Sequence, residues 1–147
     1  MVTDLAFANR SAGLTPRGET ECRQLATVLS REYDVNTRNT RVAVSEFART
    51  QQTARLVGFR KALTLPYSEL NEVDHGIALG TLRAMLRQNR IPPIAMRTAE
   101  ATLRQAPSEG VWVTHGLLIA GLCTVLGVVD QYERPVSRQC EVRQLAF

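Results

Sequence analysis

Apolar residues in this chain gather into short runs that stop at polar residues, with stretches of helical periodicity between them. The clearest run, Val111-Trp112-Val113-Thr114, ends at His115 and Gly116, and Leu117 to Leu122 follow at once. β-Branched and aromatic residues in so short a run predict a buried strand; the turn at Gly116 and the apolar stretch after it predict a buried helix. Further strands are predicted over Asp4 to Asn9, Arg41 to Ser45, Ala62 to Leu65 and Glu141 to Phe147, the last alternating in polarity. Between the first two, Thr15 as N-cap, Pro16 at the first helical position and Glu19 in the first turn open a helix. Cys22, Leu25, Val28 and Leu29 share one face of it, which carries the helix to about Tyr33. Glu46 to Val57, Thr81 to Asn89 and Ile94 to Gln105 predict three more helices, the last two parted by Pro92-Pro93. Leu82, Met85, Leu86 and Met96 are assigned to the core.

Strands that alternate with helices imply a three-layer α/β/α fold with a mainly parallel central sheet, in one domain over residues 1–147. Such a sheet keeps its ligand sites outside the carboxyl ends of its strands. Arg10, Arg49 and His115 each follow closely on such an end, so the topology should bring them to one rim. The loop from Leu70 to Gly80 adds Glu72, Asp74 and His75 between two glycines.

Composition narrows the class. The formal charge of +4 is spread along the chain without a basic run, and aromatic residues make up only 5%, so nucleic acid is not the expected partner. Lys61 is the only lysine, and the planar fork of arginine suits phosphate or carboxylate, so an anionic ligand fits better. Three widely spaced cysteines, Cys22, Cys123 and Cys140, lack a metal or redox spacing and are expected to be reduced and buried. His75 and His115 have no third ligand at a recognisable spacing, so no metal and no other cofactor is expected. No apolar run reaches the roughly eighteen residues of a membrane span, and Met1-Val2-Thr3-Asp4 lacks a basic flank, so a cytoplasmic location is expected. Leu145-Ala146-Phe147 fits either a buried terminal strand or contact with another copy, and oligomeric state is left open.

Four motifs, in order, resemble the histidine phosphatase, or phosphoglycerate mutase-like, superfamily. Leu14-Thr15-Pro16-Arg17-Gly18 is similar to its L-T-P-x-G, and Ser45 to Ala54 to its S-x-x-x-R-A-x-Q-T-A. Leu70-Asn71-Glu72 with Gly76 and Gly80 resembles its L-x-E-x-x-x-G-x-x-x-G, and Val113-Thr114-His115-Gly116 its V-S-H-G. The resemblance implies a phosphate clamp made by Arg10 and Arg49, His115 as the second histidine of the site, and Glu72 as the acid that protonates the leaving group, with Asp74 and His75 as rivals for that last role. Guanidinium groups and a cationic imidazole would stabilise a phosphoryl group in transfer.

Arg10-Ser11-Ala12 stands where the family has R-H-A, and no histidine precedes His75. The nucleophilic histidine is thus replaced by Ser11, whose hydroxyl needs an adjacent base to attack phosphorus. The implied function is binding of a phosphorylated small molecule or phosphoprotein with the phosphohistidine mechanism lost or altered, a phosphoric ester hydrolase if active. Two alternatives stand beside it: an inactive pseudophosphatase that binds anions or phosphoproteins, and an acid/base enzyme acting on a non-phosphorylated anion. The short chain resembles the compact phosphohistidine phosphatases and predicts an open site.

Overall fold

In the computed structural model, the described residues are the strand Val2–Asp4, for which only the backbone is described, and residues 16–137 and 141–147. The elements in chain order are β1 (Val2–Asp4), α1 (Pro16–Tyr33), β2 (Val42–Val44), α2 (Ala48–Val57), β3 (Thr64–Pro66), α3 (Leu79–Arg87), α4 (Pro93–Arg104), β4 (Val111–Thr114), α5 (Gly116–Val125) and β5 (Glu141–Arg143). The strands form one sheet in the order β3-β2-β4-β1-β5. Its β3-β2, β2-β4 and β4-β1 pairings are parallel, and β5 runs antiparallel to β1 at the edge.

The period-two alternation of the central strands builds the two faces. Val42, Val44, Val111 and Val113 pack in one cluster with Cys22, Leu25 and Leu29 of α1 and with Ala54 and Val57 of α2. Ala43 and Trp112 point the other way, into a cluster with Ala95 and Ala99 of α4 and Leu118, Ile119 and Leu122 of α5. A sheet residue therefore joins one helical layer or the other according to its parity, which is the expected three-layer α/β/α architecture. The layer of α4 and α5 closes tightly at Gly121, where an added Cβ would lie 2.3 Å from the carbonyl oxygen of Ala95.

Several boundaries differ from the sequence reading. The first strand covers Val2–Asp4, so its expected span from Leu5 to Asn9, and with it Arg10, Ser11 and the Thr15 cap, lies outside the described residues. The third strand starts two residues late because Lys61–Leu63 form a 3-10 turn first. Gly80 belongs to the first turn of α3 rather than to a loop. Leu82, Met85 and Leu86 are not core: α3 has no buried residue, Leu86 lines an open groove beside it, and Met96 is only partly covered. Cys22 and Cys123 are buried, whereas Cys140 lies outside the described residues. Leu145 is buried, while Phe147 stays largely exposed although its ring reaches Trp112 at 5.1 Å. Among the described residues no helix is long and apolar enough to cross a membrane.

Candidate functional site

Three adjacent strands end at one rim, and each delivers a polar side chain there. The β4 run stops at His115, the N-cap residue of α5, which is 2% exposed. After β2 the chain turns through Ser45, Glu46 and Phe47 into α2, so Arg49 sits in the first turn of that helix. After β3 a 3-10 turn, Ser68–Leu70, leads into Asn71 and Glu72.

Side-chain bonds lock these segments together. The Thr114 hydroxyl donates to the Leu70 carbonyl at 2.5 Å, tying the end of β4 to the turn before Glu72. The Asn71 carbonyl oxygen accepts from the Glu46 backbone N–H, and its amide donates to the Glu46 carboxylate, both at 2.8 Å. Asn71 thereby clips the loop of Glu72 to the turn that precedes Arg49. Long, mobile side chains are ordered by short, rigid ones.

The result brings together Arg49, Glu72 and His115. Arg49 Nη2 donates to Glu72 Oε2 at 2.7 Å and lies 3.1 Å from His115 Nδ1. A guanidinium has no acceptor, so Nδ1 must be the accepting nitrogen and the proton of the ring sits on Nε2. Nε2 then donates to Ser45 Oγ at 2.9 Å. That hydroxyl also accepts from the Phe47 N–H at 3.2 Å, and it gives its own proton to Thr50 Oγ1 at 2.7 Å. The Thr50 hydroxyl in turn donates to the Phe47 carbonyl at 2.8 Å. The arrangement fits the Nε2–H tautomer of His115, since a proton at Nδ1 would displace Arg49 Nη2. The Phe47 ring packs edge-on against His115 with centroids 5.0 Å apart, and the Arg49 guanidinium lies 5.4 Å from its centroid.

Arg49 keeps a buried donor that these bonds do not use. Its side chain is 9% exposed, and among the described residues its buried Nε finds no acceptor. A buried donor left unpaired costs about 1–3 kcal/mol, and an anion's oxygen removes that cost.

Of the rival acids, Asp74 is exposed, and His75 spends Nδ1 on the Ile77 N–H at 2.9 Å, within its own turn. Neither bonds Arg49 or His115 among the described residues. Arg10 and Ser11, expected at the same rim, lie outside the described residues. No group of three His, Cys, Asp or Glu side chains among the described residues is placed to hold a metal ion. Ser45 is the residue that sequence reasoning missed: it stands in the motif that contains Arg49, but a serine carries no periodicity or charge to mark it.

The family described as the histidine phosphatase superfamily (branch 1) matches residues 8–110, well over half the chain. The chain belongs to the histidine phosphatase superfamily. The match takes in Arg10, Ser11, Arg49 and Glu72 and stops before His115, which joins the site through the fold. Solved structures agree on that fold. The protein TTHB049 from Thermus thermophilus is 18% identical, with 99% of this chain and 98% of that one covered at a TM-score of 0.60. A phosphoserine phosphatase from Entamoeba histolytica, in complex with 3-phosphoglyceric acid, is 15% identical over 85% of this chain and 77% of its own, with a TM-score of 0.57. A phosphoglycerate mutase from Bacillus anthracis str. Sterne is 17% identical over 85% and 78%, with a TM-score of 0.56. No curated protein matches the chain.

Proposed function

We propose that this histidine phosphatase-family protein binds a phosphorylated ligand, a small ester or a phosphoprotein, at the rim where Arg49, Glu72 and His115 meet. The observation that carries the reading is the Arg49 guanidinium, nine-tenths buried beside the other two, with a donor unpaired. The anion would accept the unpaired Nε–H, a charge-assisted bond, while Nη2 stays on Glu72 and His115. Arg10 completes the clamp in this reading. Glu72, one hydrogen bond from the Arg49 guanidinium, is the acid toward the departing ester oxygen in this reading. The complex of the neighbouring phosphoserine phosphatase with 3-phosphoglyceric acid supports the ligand class.

Ser11 stands at the position of the family's first histidine. In our reading phosphohistidine is not formed, and turnover by water, or by Ser11 with His115 as base, is absent or strongly reduced. The protein is then foremost a phosphate-binding member of its family. The test is hydrolysis of an aryl phosphate by the parent and by Ser11→His. A silent parent and an active variant are expected. A parent as fast as ordinary phosphatases refutes the lost mechanism; two silent proteins that also fail to bind phosphate refute the site.

A further inference from the structure

A second site is built away from the catalytic motifs, between the last turns of α3 and residues 134–136. This groove has a volume of about 430 Å³ and is lined by Arg83, Leu86, Arg87 and Asn89 on one side and by Arg134, Pro135 and Val136 on the other. Arg83, Arg87 and Arg134 are exposed, and none of the three guanidiniums has an ion-pair or hydrogen-bond partner among the described residues. Leu86, Pro135 and Val136, each half-buried, supply an apolar lining between them.

Both walls are fixed. Arg143 of β5, wholly buried, donates Nη1 to the Pro135 carbonyl at 2.6 Å and Nη2 to the Arg134 carbonyl at 2.8 Å, and its guanidinium lies 4.3 Å from the centre of the Tyr132 ring. Opposite, α3 is ended by Asn89 in the left-handed region (φ 57°), and the Arg90 N–H returns to the Met85 carbonyl at 2.9 Å. A preformed groove loses little ordering entropy on binding.

We propose that this groove docks an acidic segment of a partner protein, which inserts an apolar side chain between the arginines. Three unpaired positive charges call for a negative partner, and the apolar lining calls for a hydrophobic anchor. The charge is also drawn out: Arg83 and Arg87 stand one helical turn apart, about 6 Å along α3, and Arg134 belongs to the other wall. That spread matches a chain of carboxylates better than a single small anion. Among the described residues the lining holds no aromatic ring on which a nucleic-acid base could stack.

The experiment titrates the full chain into a fluorescein-labelled peptide of alternating glutamate and leucine and follows polarisation. Saturable binding that weakens with salt is expected, and Arg83→Glu with Arg87→Glu should weaken it by about tenfold or more without lowering the melting temperature. A peptide of alternating glutamate and serine should bind less tightly, and one of lysine and leucine not at all. Should the double charge reversal not fold, Arg87→Gln with Arg134→Gln must reduce affinity in the same direction. The proposal is overturned by absence of binding at millimolar peptide in low salt, or by affinity that survives the substitutions. It is equally overturned if a single-stranded oligonucleotide or anionic phospholipid vesicles bind these arginines more tightly than the acidic peptide.

Discussion

The Ser45 hydroxyl accepts from His115 Nε2 and the Phe47 N–H while giving its proton to Thr50, so one buried oxygen satisfies the Nε2–H that the Arg49 contact leaves on the ring. Ser45→Ala leaves the Nε2–H of His115 without that acceptor in a buried setting, a loss of about 1–3 kcal/mol. Chemical denaturation should show that loss, while nitrogen chemical shifts of the imidazole should still show the Nε2–H form, because Arg49 continues to donate to Nδ1. A shift to the Nδ1–H form would mean that Ser45, not Arg49, selects the tautomer. At this scale, charge was legible and neutral polarity was not. Arg49, Glu72 and His115 stand out as titratable or cationic residues following apolar runs, and the structure brings the three together. Ser45 and Thr50 matter only through a partner that lies 70 residues from Ser45 in the chain, and Asn71 only through its clip to Glu46.

Helix–helix spacing rests on single positions too. At Gly121 a side chain would press on the backbone of Ala95, and a backbone yields less readily than a flexible side chain. Gly121→Val should therefore overpack the α4-α5 contact and cost about 1–3 kcal/mol or more. For a chain of this size each kcal/mol lowers the melting temperature by about 2–4 °C, measurable by calorimetry. Just before β4, the Tyr67 hydroxyl donates to Glu109 Oε1 at 2.6 Å. Burial pushes the Glu109 carboxyl up, but that bond, with others from its own backbone and Ser108, outweighs burial and holds it below its ordinary value. A lowered carboxyl contributes stability above its unfolded value and loses it as pH falls through the folded one. Tyr67→Phe should accordingly melt below the parent near neutral pH, and the two curves should converge in acid. Element types were legible throughout, because periodicity records which face is buried: α1 ends at Tyr33 as expected. Boundaries were less so, since the 3-10 turn at Lys61–Leu63 and the start of α3 depend on local hydrogen bonds that leave no periodic trace. The exposure of α3 leaves no mark in the sequence for a related reason: an apolar stripe looks the same whether or not another element covers it.

For the molecule as a whole, the layered sheet follows from strands and helices taken in turn, but the direction of the edge strand β5 does not, because a short alternating segment reads alike in either sense. The rim site is a property of this global arrangement, so its test belongs to global stability. A ligand that binds only the folded chain stabilises it, by about 2.7 kcal/mol at a hundredfold excess over Kd. At about 2–4 °C per kcal/mol, inorganic phosphate at that excess should raise the melting temperature by about 5–10 °C. Phosphate also strengthens burial generally by exclusion from protein surfaces, so the decisive comparison is internal. Arg49→Ala removes the guanidinium that faces His115 and Glu72, and it should abolish the saturable part of the rise while leaving the shallow, unsaturable slope. Arg83→Glu with Arg87→Glu alters the other basic surface, the α3 groove, and should keep the saturable rise intact. A rise that survives Arg49→Ala but disappears with the groove substitutions would place the phosphate site on α3 and leave the rim without its proposed ligand.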